Sequence, residues 1–164
     1  MIEQVMNALS ATSHEIVVFF LAMLPISELR GAIPIGVALY KFSYLKTLTI
    51  ALIGNLIPVL PILLLFGKVE NIMRRNATSG RFIDWFIHRA ERQSAMVKEL
   101  GALGLMLFVA VPLPGTGAWA GSLVAFLLGL DIKRSFIYIS LGVLIAAVLV
   151  TVLTYFGIFV AEAT

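Results

Sequence analysis

Apolar residues along this chain fall into runs of unequal length. Residues 16–24 (IVVFFLAML) and 33–40 (IPIGVALY) are both short. At about 1.5 Å per residue, the first reaches only about 13 Å as a helix. A hydrocarbon core of about 30 Å needs about 20 residues. Between these runs, LPISELRGAIP (24–34) places Glu28, Arg30 and Gly31 between Pro25 and Pro34. Residues 44–66 are long enough to span, and Pro58 and Pro61 predict a kink near their middle. After a polar stretch the pattern returns: apolar 100–111, a break at VPLPGTGAWAG (111–121), apolar 118–130, and a last long run from 132 to 160.

Polar residues mark the boundaries. Ile2, Val5, Met6 and Leu9 are helically spaced, which predicts an interfacial amphipathic helix over 1–14. Thr12 and Glu15 make a capping-box pattern that predicts a new helix after it. Ser43 and Asp131 read as N-caps of the two long runs. The stretch 76–80 (NATSG) reads as a turn, and Phe82, Trp85 and Phe86 beside basic residues predict an interfacial helix within 68–99.

Both halves follow one order: half-run, Pro/Gly break, half-run, polar cap, full span. An offset of 88 residues superposes Ser43 on Asp131, Lys46 on Arg134 and Gly54 on Gly142, and Pro25 meets Pro112 at 87. Paired broken helices in corresponding halves point to a binding site at the repeat interface. The predicted organisation is therefore a first repeat over 15–67 (hairpin 15–41, span 44–66), a basic linker over 68–99, and a second repeat over 100–164 (hairpin 100–130, span 132–160).

Composition sets the solvent. The chain has 164 residues, 60% hydrophobic and 13% charged, more apolar surface than a soluble domain of this length can hide. An all-α, multi-pass protein of the cell membrane is expected. The opening MIEQVMNALSATSHE lacks the basic n-region of a cleavable signal. With no cysteine, disulfides and thiolate metal sites are excluded.

Charge placement bears on topology. If each broken segment is a re-entrant hairpin, the side holding 68–99 carries seven basic residues there plus Lys133 and Arg134, against Lys41 and Lys46 opposite. If each crosses fully, the split is seven against four. The positive-inside rule favours hairpins, an inverted repeat, 68–99 cytoplasmic and both termini outside.

The breaks supply the candidate chemistry. Half-helices starting near Gly31 and Gly117 aim unpaired N–H groups and positive dipole ends into the membrane. Arg30 adds a planar cation suited to carboxylate or phosphate. Gly115, Gly117 and Gly121 let backbone approach a ligand, and Pro112, Pro114 and Thr116 complete the second break. Glu28 is costly inside a membrane unless paired, solvated or protonated. It either pairs with Arg30 to satisfy the broken backbone, or exchanges partners while Arg30 holds an anion. Asn55, Thr151, Thr154 and Tyr155 line a cavity or bond to neighbouring helices. Gly117 and Gly121 also have the spacing of close helix packing. His14 and His88 stand on separate segments, so no metal site is expected. The Asn76-Ala77-Thr78 sequon would be cytoplasmic and unmodified. No nucleophile–base pair, phosphate loop or metal-ligand spacing points to catalysis, to a cofactor or to nucleic acid.

The motifs ISELRGAIPIGVALY (26–40) and VPLPGTGAWAGSLVAFLLGL (111–130) resemble the putative small multidrug export protein family over nearly the whole chain. That family is thought to be distantly related to DedA-type membrane proteins. The resemblance implies re-entrant hairpins in an inverted repeat and movement of phospholipids or polyprenyl phosphates. The DedA-type pattern F-x-P-G-x-R is met in part: Pro114 and Gly115 match, while Gly117 takes the place of arginine. Three functions follow as expectations. The first is alternating-access transport of a small anionic or phosphate-bearing amphiphile around the two tips, proton-coupled through Glu28. The others are export of cationic amphiphilic drugs and a non-transporting membrane scaffold. Partners are membrane lipids and a second copy of the chain.

Overall fold

Helices stop where prolines and glycines interrupt the apolar runs. The computed structural model describes residues 2–73, 75, 77–93, 95–113 and 115–163, and no strand occurs among them. In chain order the helices are α1 (Ile2–Met23), α2 (Glu28–Pro34) continuing into a π-helical turn (Ile35–Leu39), α3 (Tyr44–Leu56), α4 (Val59–Met73), α5 (Ala77–Gln93), α6 (Ala95–Ala110), α7 (Ala118–Leu127) and α8 (Ile132–Ala163). Two stretches, Tyr44–Lys68 and Ile132–Ile158, are long and apolar enough to cross a membrane. The first bends at Ile57–Pro58, where proline deprives the preceding turn of a donor, and helix resumes with the Ile62 N–H on the Pro58 carbonyl.

The chain divides into two units. Residues 1–55 and 147–164 form one, in which α1 packs against α2 and the π turn. Residues 56–146 form the other, in which α7 packs against α4, α5 and α6. Each unit thus contains a broken pair of half-helices, the opening part of the long apolar stretch that follows it, and the closing part of the other stretch.

Equivalent residues do equivalent work in the two units. The Ser43 side chain accepts from the Lys46 N–H at 3.4 Å, and Asp131 Oδ1 accepts from the Arg134 N–H at 2.9 Å. Both caps leave their following helix's orphan donors one fewer. Six of the eight buried positions of the first long stretch have buried counterparts: Thr47, Ala51, Gly54, Asn55, Pro58 and Val59. Residues 88 further on are buried too: Ser135, Ile139, Gly142, Val143, Ala146 and Ala147. On the half-helices Val18 and Ala22 are buried, as are Leu105 and Val109 at an offset of 87.

The closest packing also recurs. A Cβ added to Gly54 would lie 2.5 Å from the Phe19 carbonyl oxygen and 3.1 Å from the Ala22 Cβ. One added to Gly142 would lie 2.6 Å from the Met106 carbonyl oxygen and 2.8 Å from the Val109 Cβ. Glycine is therefore needed at both crossings, and the partners Phe19/Met106 and Ala22/Val109 are again 87 apart. The second half-helices end alike, on a left-handed residue: Lys41 (φ 55) after the π turn and Gly129 (φ 63) after α7. At Gly129 the N–H groups of Gly129 and Leu130 bond back to Phe126 and Ala125, the Schellman arrangement.

Several boundaries differ from the sequence expectations. The helix break at Thr12 is absent, and α1 is continuous from Ile2 to Met23. That segment has no glycine or proline to stop propagation, which is cheap once a helix has started. The turn expected over 76–80 lies earlier, since Ala77–Gly80 already belong to α5; Asn76 lies outside the described residues. The second half-run starts at Glu28 rather than Ile33, so α2 begins three residues before Gly31. A kink at Gly101 (φ 58, ψ −129) interrupts α6, six residues into it.

Candidate functional site

The first tip is built by backbone that cannot be regular. α1 ends at Met23, and the Glu28 N–H bonds back to the Leu24 carbonyl at 3.0 Å. The Ser27 hydroxyl donates to the Leu21 carbonyl, tying the tip to the half-helix before it. A Cβ on Gly31 would sit 2.8 Å from the Ser27 Cβ, so glycine lets α2 turn over this serine. Glu28 itself takes φ 44, a left-handed conformation that a non-glycine residue adopts at a cost of roughly 1–3 kcal/mol.

That strained residue is also the buried acid. Glu28 is 4% exposed and interacts with at least one group of the chain. Arg30 stands two residues on, half-buried, with no hydrogen bond or ion pair to any described residue. A Glu28–Arg30 pair is accordingly absent among the described residues. Pro34 cannot donate to the Arg30 carbonyl, and the π turn that follows absorbs the shifted register.

Asn55 belongs to the same unit, and its role is visible. The side-chain amide is buried and donates to the Ala22 carbonyl at 3.0 Å. Ala22 lies in the last turn of α1, where carbonyls lack intrahelical donors. The amide therefore closes the helix end beneath the first tip. Thr151 and Thr154 turn inward on their own helix, donating to the Ala147 and Val150 carbonyls at 2.7 and 2.8 Å.

The second tip, in the other unit, carries no charge. Gly115 (φ 93) and Gly117 (φ 115, ψ −172) take conformations reserved for glycine. Between them the Thr116 hydroxyl donates to the Val111 carbonyl at 2.6 Å and accepts from the Leu113 N–H at 3.1 Å. Thr116 is thus the clasp of this loop rather than a free hydroxyl. Pro112 precedes the clasp, and Pro114 lies outside the described residues. α7 starts directly after Gly117 with no side chain capping it, and Gly117 and Ala118 are buried. Its first intrahelical bond runs from the Gly121 N–H to the Gly117 carbonyl at 2.8 Å. Gly121 meets the Val109 side chain closely, so its glycine serves packing within the unit.

With both tips described, comparison with known families becomes informative. A family model described as "Putative small multi-drug export protein" matches residues 28–149. The chain belongs to this family. The match begins at Glu28 within the first tip, contains the second, and ends inside α8. Neither curated proteins nor solved structures give a match. Together with its two membrane-length apolar stretches, the family makes this export-family chain a helical membrane protein.

Sequence reading named Glu28, Arg30, Gly31, Asn55, Pro112, Pro114, Gly115, Thr116 and Gly117. The structure brings the first four together in one unit and the described remainder together in the other. Ser27 was missed, although its four-residue spacing from Gly31 is the signal of a serine under a closely crossing backbone. No group of three or more His, Cys, Asp or Glu able to hold a metal occurs among the described residues.

Proposed function

We propose that this chain is a multi-pass transporter of the cell membrane that moves a small anionic or phosphate-bearing amphiphile. One observation carries the substrate class: Arg30 is a half-buried cation at a broken helix, without a partner among the described residues. A permanent guanidinium so placed is costly in a membrane unless an anion visits it. The family description supports the transport role.

The architecture proposed is an inverted repeat, with re-entrant hairpins over 15–41 and 100–130 and spans over 44–66 and 132–160. The paired glycine crossings at Phe19/Ala22 and Met106/Val109, and the buried positions repeating at 88, support it. The segment 68–99 is proposed to be cytoplasmic, with its basic residues obeying the positive-inside rule. Alternating access, protons exchanging on Glu28 and a homodimeric assembly complete the reading.

The test is ligand-dependent thermal stabilisation of the full-length protein in detergent, using anionic and cationic amphiphiles of matched chain length. The anionic series is expected to stabilise the wild type, and Arg30→Gln to abolish that response. Stabilisation by the cationic series, lost in Glu28→Gln, would reject the anionic substrate and establish export of cationic amphiphiles. The family description and the burial of Glu28 favour that second reading. Indifference to both series would reject both and leave a membrane scaffold.

A further inference from the structure

α5 presents a face that the transport reading does not use. Its buried side holds Gly80, Ile83 and Ile87, and the helix packs against α4, α6 and α7 of the same unit. Arg81, Trp85, His88 and Arg92 are exposed and follow one another by four, three and four residues. Such steps return to one strip of a helix, so these four side chains line a single exposed stripe. Trp85 is 56% exposed at the centre of the stripe, with an arginine toward either end. His88 engages Glu91 at 3.3 Å, which leaves Arg81 and Arg92 as the stripe's cations, about 16 Å apart along the axis.

A solvated helix face has no use for an exposed indole between two guanidinium groups. An acidic bilayer surface accommodates both: tryptophan settles at the headgroup level and arginine binds lipid phosphate. The surroundings have the same character. Lys68 ends the first membrane-length stretch and is exposed, as are Ile72 and Arg75 just before α5 and Lys98 after it. From these observations we infer that the Arg81–Trp85–His88–Arg92 stripe of α5 binds anionic phospholipid headgroups at the membrane surface. The inference rests on the membrane reading above and is independent of any transported substrate.

The experiment uses the full-length protein carrying Trp119→Phe, so that Trp85 is its single tryptophan. It is placed in nanodiscs of phosphatidylcholine, or of phosphatidylcholine and phosphatidylglycerol in equal parts. Trp85 emission is expected to shift to the blue and to resist acrylamide in the phosphatidylglycerol discs, and high salt to reverse both effects. Each basic residue near an anionic surface contributes about 1 kcal/mol, so Arg81→Gln/Arg92→Gln should weaken the phosphatidylglycerol preference roughly thirty-fold. Arg81→Lys/Arg92→Lys should keep most of it, which separates charge from misfolding. Equal quenching in both lipids would overturn the inference. So would a preference that survives the glutamine variant, or one that the lysine variant also loses. None of these outcomes touches the response to amphiphiles, so the transport reading is tested separately.

Discussion

Alanine at Gly54 or Gly142 tests the packing on which each unit depends. In a helix interior, glycine to alanine normally adds about 1 kcal/mol of stability through propensity alone. Here the new Cβ would lie 2.5 Å from the Phe19 carbonyl oxygen, or 2.6 Å from that of Met106. A carbon and an oxygen in contact prefer about 3.3–3.6 Å, so the half-helix must retreat by well over half an ångström. The obstructing atoms are backbone and cannot rotate away. Overpacking of this kind costs about 1–3 kcal/mol, more than propensity returns. The expected net effect is destabilisation of up to about 2 kcal/mol in each variant. Gly157→Ala, also in α8, is the control: nothing lies within 4 Å of its added Cβ. It should stabilise by up to about 1 kcal/mol. Equilibrium unfolding in mixed micelles, followed by circular dichroism, reads all three variants. The reasoning fails if Gly54→Ala and Gly142→Ala match Gly157→Ala, because the close crossings would then not exist.

Three further substitutions probe single positions. Gly101→Ala meets no atom within 4 Å, yet φ 58 with ψ −129 is closed to a side chain; it should lose roughly 1–3 kcal/mol by the same unfolding assay through backbone strain alone. Asn55→Ala leaves the Ala22 carbonyl without its buried donor; a loss of about 1–3 kcal/mol is expected, and unchanged stability would show that the bond contributes nothing. Arg30→Gln should remove stabilisation by anionic amphiphiles while leaving the ligand-free protein at least as stable as wild type, since no described residue depends on its side chain and an uncompensated guanidinium is costly there.

Much of the helical order was readable from the sequence because its signals are local. Ser43 and Asp131 cap their helices as their residue types suggest, and Pro58 bends the first long stretch. The offset of 88 was visible in a few caps and glycines, and it extends to the buried face of both long helices. What escaped depends on contacts distant in sequence or on strain. No residue preference announces that Glu28 takes a left-handed conformation, or that α2 starts there. The π turn compensates for Pro34 and packs where a Cβ on Gly36 would meet Thr47 at 2.5 Å, a contact only the folded unit supplies. Gly101 looked like one more small residue in an apolar run. The site was half legible: the charges of the first tip were evident, but Asn55 as the donor to Ala22 and Thr116 as a loop clasp required the fold.

The division of the long helices has a consequence for how such a chain can be assembled. Each unit takes the front of one long stretch and the back of the other, exchanging them near Asn55 and Ala146. Severing the chain between α4 and α5 would therefore leave two fragments, neither holding all the parts of a unit. Co-expressed fragments should rescue one another, whereas either alone lacks the segment that completes its core. On the repeat architecture proposed above, a primordial single repeat would have faced the same shortage, and could have met it only by borrowing the missing segment from a second molecule of itself.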